Sequence, residues 1–238
     1  MVSEFGRLCE RRKLRVNVGK SKVMRCSRYG NGDRMHVILN CEPLEEVDCF
    51  KHLGSQVAAD EGCERDVVHR MNEGISRAWG ALKSVLSNGG LGIKVKKCRY
   101  EGVIVPTVLY GAEAWVMRSA ERRKVNVLEM KCLRICLECR EWIVRNEEVR
   151  RRAGIERELP SRADQRVLRW FGYVEKMDEY RMARRVLMAE ASGGLVRGRP
   201  RLGWMDGVKV ALDTRGMTVE AAFQCAKDRK ELRALVHM

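Results

Sequence analysis

The sequence is poor in proline, aromatic residues and histidine, and it contains no Asp-Asp pair. Four prolines in 238 residues exclude a proline-rich linker or extended recognition scaffold. Aromatic residues make up only 6% of the chain, which disfavours a sheet-rich fold, because strands are enriched in aromatic and β-branched side chains. The most apolar stretch, residues 102–117, holds both Pro106 and Glu113. It is too short and too polar for a membrane span. The N-terminal residues run into Arg7, Arg11, Arg12 and Lys13 with no apolar run, so no signal peptide is expected. Ten cysteines without a secretory leader suit reduced thiols in an intracellular protein of the nucleus or cytoplasm.

What is abundant is positive charge. Lys and Arg number 47 against 32 Asp and Glu, for a net charge of +15. A polyanionic partner follows, either nucleic acid or an acidic membrane surface. The charge is unevenly spread. Residues 1–30 carry a net +7, residues 31–63 a net −5, and residues 64–100 and 161–201 a net +5 each. A phosphate backbone would meet the basic segments and avoid the acidic one. The hydrophobic fraction of 45% is enough to build a core.

The hydrophobic pattern predicts a mainly α fold with a small N-terminal β-hairpin platform, an α+β arrangement. A helix is expected over residues 2–14. Leu14, Val16 and Val18 alternate with polar residues as a strand would, with 23–26 as a partner. A turn is expected at 29–33, and further short strands at 35–39 and 50–57. From Glu64 the period becomes helical. Val67, Met71, Ile75, Trp79 and Leu82 share one face, and Ser87-Asn-Gly-Gly90 ends that helix. Further helices are expected at 95–110 with a kink at Pro106, then at 120–137, 147–153, 164–177 and 180–190. A flexible basic linker, 192–203, precedes two short closing helices near 204–212 and 228–236. Cys132, Cys136 and Cys139 fall at i, i+4, i+7 beside Leu128 and Ile135, with no histidine nearby. That spacing suits one packed helix face better than a zinc site, which needs a fourth ligand.

Several segments, in fixed order, resemble the reverse transcriptases of LINE-type (non-LTR) retrotransposons. Lys13-Leu-Arg-Val-Asn-Val-Gly-Lys-Ser-Lys22 is similar to the family's segment after the catalytic aspartates, Leu-x-x-Asn-x-x-Lys-[Ser/Thr]-Lys. Phe50-Lys-His-Leu-Gly-Ser55 resembles the Phe-x-Tyr-Leu-Gly primer-grip hairpin, with His52 in place of Tyr. Val105-Pro-Thr-Val-Leu-Tyr-Gly-Ala-Glu-Ala-Trp115 resembles Pro-x-x-Leu-Tyr-Gly-x-Glu-x-Trp, and Cys132-Leu-Arg-Ile135 also matches. Arg166-Val-Leu-Arg-Trp-Phe-Gly-Tyr-Val174 resembles Arg-x-Leu-Arg-Trp-x-Gly-His-Val, with Tyr173 where His is common. Gly198-Arg-Pro-Arg-Leu-Gly-Trp204 and then Asp228-Arg229 resemble the tail.

The resemblance implies three regions. Residues 1–60 would be the end of a palm with a primer-grip-like hairpin, 61–140 a thumb-like helical region, and 141–238 a helical C-terminal region containing the basic linker. It also implies a fragment that binds template–primer nucleic acid, an RNA–DNA hybrid or duplex DNA, without sequence preference. Polymerisation by the family uses Mg²⁺ held by paired aspartates. This chain has no such pair and its first Asp is Asp33, so no cofactor and no catalysis are expected of it alone. By the family's layout the aspartates would lie upstream of Met1, in an N-terminal polymerase region that becomes an expected partner.

The implied site residues follow from the matched positions. Lys20 or Lys22 would lie near the triphosphate, where an ammonium can attract phosphate. Phe50, Leu53 and Gly54 would form the primer grip. Arg65, Arg70, Arg77, Lys83, Lys94, Lys96, Lys97 and Arg99 fall on the thumb-like helices, placed to follow a duplex backbone. Each has a plainer alternative: a solvated lysine, a simple hairpin core, or an ordinary polar helix face. Arg197, Arg199 and Arg201 also fit an AT-hook, an extended segment whose arginines enter a narrow minor groove. Trp79, Trp115, Trp142, Trp170 and Trp204 are able to stack on bases, although Trp79 and Trp170 fall on apolar helix faces that suit a core. Two other readings remain beside this one: a stand-alone or domesticated DNA/RNA-binding protein that relies on Arg197, Arg199 and Arg201, and a non-functional relic of a decayed element.

Overall fold

A computed structural model describes residues 2–26, 35–39, 41–59, 64–139, 144–189 and 202–237. The fold is mainly α, and among the described residues the short strands are confined to the N-terminal part. The chain divides into two compact units, 1–66 and 67–238. The turn expected at 29–33 and the linker 192–201, with Arg197, Arg199 and Arg201, lie outside the described residues, as does Trp142.

The first unit begins with α1 (Val2–Arg11). The strand expected from the alternation of Leu14, Val16 and Val18 does not form. Asn17 instead accepts a hydrogen bond from the Lys20 backbone N–H at 3.1 Å and caps a 3₁₀ turn, Val18–Lys20. A short polar side chain that satisfies its own backbone competes with a ladder, and here it wins. The strands are β1 (Lys22–Val23), β2 (Ile38–Leu39), β3 (Glu42–Pro43), β4 (Glu45–Glu46), β5 (Cys49–His52) and β6 (Ser55–Ala58). They form three two-stranded pairs: β1 with β4 in parallel, and the antiparallel pairs β2 with β3 and β5 with β6.

The β5–β6 hairpin turns on two residues, since His52 lies opposite Ser55. Leu53 has φ 47° and Gly54 φ 90°. Positive φ at both positions is the requirement of the tight primed turn that matches strand twist. Gly54 meets it without strain, whereas Leu53 is a non-glycine residue held in left-handed space.

α2 (Glu64–His69) crosses the boundary between the units. The helix expected through Val85 is broken by a π-helical turn, Arg70–Gly74, and resumes as α3 (Ile75–Leu86). α4 (Ile93–Arg99) follows. A second π turn, Tyr100–Ile104, then leads into α5 (Val105–Val108). Proline cannot donate to the carbonyl four residues back, so the wide turn just ahead of Pro106 accommodates the missing bond. α6 (Ser119–Cys136) buries Val125, Met130, Cys132, Leu133 and Cys136. Burial pushes the Cys132 thiol up to about 12 and the Cys136 thiol up to about 11. Both therefore behave as small apolar core residues. α7 (Asn146–Ala153) ends at Gly154, whose φ of 67° closes the helix in left-handed space.

α8 (Leu159–Glu175) is the central helix of the second unit and α9 (Met182–Met188) follows it. Three helices close the chain: α10 (Trp204–Asp213), α11 (Val219–Lys227) and α12 (Arg229–His237). The sequence pattern predicts only two. Val167, Leu168 and Phe171 of α8 pack against Val208, Ala211 and Leu212 of α10, Ala222 and Ala226 of α11, and Leu235 and Val236 of α12. Phe171 meets Phe223 edge to face at 5.0 Å. Gly172 admits α12 closely, since a Cβ there would lie 2.3 Å from a Leu232 methyl. Asp228 starts α12 by accepting the Lys230 and Glu231 backbone N–H groups at 2.5 and 3.1 Å.

Candidate nucleic-acid interface

In the second unit the separate motifs meet. Gly111, with φ 76°, turns the chain after α5 into a 3₁₀ turn, Ala112–Ala114. That turn lies against α8. The Glu113 carboxylate accepts from Arg166 at 3.1 Å, and its backbone carbonyl accepts from the Trp204 indole N–H at 2.9 Å. The segment 105–115, the segment 166–174 and the start of α10 are thus joined through one residue. Trp115 is buried and serves the core.

α8 carries its charge in register. Arg162, Arg166, Arg169 and Tyr173 step by four, three and four residues, so they fall on one stripe roughly 16 Å long. A groove of about 280 Å³ runs beside this stripe. It is lined by Arg157, Arg162, Gln165, Arg166 and Arg169 together with Glu156, His237 and the apolar Val105 and Leu109. Arg162 is held by Glu101 at 3.0 Å and Arg166 by Glu113, while Arg157 donates to the His237 backbone carbonyl. Each pairing fixes one edge of a guanidinium and leaves further N–H donors unused, since Arg carries five. Arg169 is exposed and makes no ion pair among the described residues. Past it, Trp170 and Tyr173 are 37% and 56% exposed, with ring centroids 5.4 Å apart. The sequence pattern favours a core position for Trp170; its place at the edge of the α8 stripe leaves it partly in solvent.

The residues singled out by the sequence are dispersed. In the first unit, Lys20 is exposed at the end of the 3₁₀ turn. Lys22 is ion-paired with Glu45, its direct neighbour across β1 and β4. Phe50 and Leu53 are exposed on the β5–β6 hairpin, with Gly54 beside them in the turn. Arg65 is exposed on α2. In the second unit, the Arg70 guanidinium lies 4.5 Å from the Tyr110 ring centroid. Lys83, Lys94 and Arg99 are exposed on α3 and α4. Lys97 is half-buried and donates to the Gly154 carbonyl. The Arg77 side chain lies outside the described residues.

Lys96 does not belong to the surface set. It is 2% exposed, and its ammonium donates to the Cys136 carbonyl at 3.1 Å and to Glu138 at 2.8 Å. There it closes the C-terminal end of α6, where a cation is favoured.

A second polar centre lies in the core. Glu129 is 1% exposed and accepts from Arg150 at 3.1 and 2.9 Å, from the Leu159 backbone N–H at 3.0 Å, and from the Tyr100 hydroxyl at 3.5 Å. Burial pushes its carboxyl above the ordinary range, and the Arg150 hydrogen bonds and charge pull it back. Burial, with Glu129 beside it, pushes the Tyr100 hydroxyl up as well. Asp164 pairs in a fork with Arg122 at 2.9 and 2.5 Å.

There is no Asp-Asp pair, and the described residues hold no group of three His, Cys, Asp or Glu able to take a metal ion. Among the described residues, no helix is long and apolar enough to cross a membrane.

Comparison with known proteins gives one informative likeness. A Caenorhabditis elegans protein described as transposon-derived is 26% identical over 252 residues, spanning 99% of this chain and 87% of the relative. The likeness supports a transposon-related origin. No family model matches the chain, and no solved structure does.

Proposed function

We propose that this chain is the post-catalytic part of a LINE-type retrotransposon reverse transcriptase, comprising the end of the palm, a thumb-like region and a C-terminal helical region, and that it binds template–primer nucleic acid without sequence preference. The observation that carries the reading is the ordered motif set together with its meeting point at Glu113, Arg166 and Trp204. Motifs that are distant in sequence and joined in one packed node are the mark of a shared structural unit. The transposon-derived relative, aligned over nearly all of the chain, supports a transposon-related origin, with which this reading agrees. The partner is an RNA–DNA hybrid or duplex DNA, met through backbone charge and shape. The exposed Lys83, Lys94 and Arg99 supply the contacts on the thumb-like helices.

Chemistry is assigned elsewhere. Nucleotidyl transfer needs carboxylates that hold two metal ions, and a polymerase region outside these 238 residues would supply them. Purified protein with Mg²⁺, deoxynucleotides and a primed RNA template is expected to show no primer extension, yet to shift the same template–primer in a binding assay. Extension above a buffer control would refute the assignment of roles. A failure to bind any duplex at low salt would refute the reading itself.

A further inference from the structure

The aromatic end of the α8 stripe is not accounted for by duplex binding. In a double helix the face of each base is covered by the neighbouring base pairs in the stack, so an exposed ring on a rigid helix has no base face to pack on. Unpaired bases do offer a face, and stacking on an aromatic side chain is indifferent to sequence. Trp170 and Tyr173 sit one turn beyond Arg166 and Arg169, and Arg169 has no ion-pair partner among the described residues. The groove beside those arginines, about 280 Å³, suits a backbone phosphate and sugar but not a double helix.

Resting on the nucleic-acid reading above, we infer that this stripe binds single-stranded nucleic acid, with one or two unpaired bases stacked on Trp170 and Tyr173 and the adjoining phosphates held by Arg169 and Arg166. The carboxylates nearby do not oppose this. Glu101 and Glu113 are already engaged by Arg162 and Arg166, and Glu156, which lines the groove, is exposed to solvent and outnumbered there by Arg157, Arg162, Arg166 and Arg169. A strand lying along α8 from Arg162 toward Tyr173 would meet guanidinium groups first and aromatic faces last. This is the combination of basic track and stacking platform that single strands require.

The test uses the full chain and 12-nucleotide labelled oligonucleotides of one sequence, as single-stranded RNA, as single-stranded DNA and as an RNA–DNA hybrid, read by fluorescence anisotropy. The double variant Trp170→Ala/Tyr173→Ala is expected to weaken single-strand binding by roughly tenfold to a hundredfold and to leave the hybrid within about twofold. The variant Trp170→Phe/Tyr173→Phe keeps both ring faces and is expected to retain most single-strand affinity. Circular dichroism and the melting temperature confirm that each variant is folded. A loss in either single-strand arm with the hybrid retained supports the inference, and the arm that responds identifies the strand. Unchanged single-strand affinity in the alanine variant, with hybrid binding intact, overturns the inference and leaves the broader reading standing. An equal loss for single strand and hybrid also overturns it. A wild-type chain that binds none of the three overturns both.

Discussion

Glu129→Ala is expected to cost about 3–5 kcal/mol of folding stability and to lower the melting temperature by roughly 6–20 °C. The reason is what the substitution leaves behind. The carboxylate takes two hydrogen bonds from Arg150 and one from the Leu159 backbone N–H in a site closed to water. Truncation leaves a buried guanidinium short of its main counter-charge and a buried N–H without an acceptor. Glu158, which also contacts Arg150 at 2.7 Å, is half exposed and compensates only in part. The double variant Glu129→Leu/Arg150→Met removes both charges and fills the space, so it is expected to recover much of the loss. Thermal denaturation followed by circular dichroism reads both. A single variant within about 1 kcal/mol of the wild type would show that α6, α7 and the start of α8 are not tied together through this carboxylate.

Trp204→Ala is expected to cost about 3 kcal/mol, the lower end of the range for truncating a large aromatic side chain. The indole lies partly buried against the helical core and donates to the Glu113 carbonyl. Trp204→Phe keeps most of the packing and loses the hydrogen bond, a change of about 1 kcal/mol. The alanine variant should also expose the 3₁₀ turn at 112–114, which amide hydrogen exchange would register as faster exchange at Ala114 and Trp115. Exchange there at wild-type rates would mean that α10 does not secure the Glu113 node.

The helices of the second unit were legible because their apolar residues recur at helical spacing and their ends carry strong signals. Ser87-Asn-Gly-Gly90 and Gly154 stop helices where glycine is expected to. α11 was not legible, because its buried face is built largely from Ala222 and Ala226, which contribute little hydrophobic contrast. Leu14 to Val18 misled because three alternating residues carry less information than one Asn cap. Lys96 misled for another reason. Its partners lie 40 and 42 residues away, and charge along a sequence does not reveal which lysine will be drawn under a helix end. The motifs at 105–115, 166–174 and 204 could each be picked out in the sequence. That Glu113 joins them, and that Arg162 and Arg169 extend the stripe, required the fold. The i, i+4, i+7, i+11 spacing of Arg162, Arg166, Arg169 and Tyr173 was the available signal, and it was hidden by the apolar residues interleaved with it.

Nucleic-acid binding by this chain is tested most directly by a salt titration of template–primer binding by the full chain, read by anisotropy between 50 and 200 mM KCl. Log affinity is expected to fall linearly with log salt, amounting to roughly a thousandfold loss for about six phosphate contacts. Neutralising Lys83, Lys94 or Arg99 is expected to shallow the slope by about one contact each, while Lys96→Met lowers stability and leaves the slope unchanged. Affinity that is absent at low salt, or indifferent to salt, would contradict the assignment of this chain as a nucleic-acid-binding part of a reverse transcriptase.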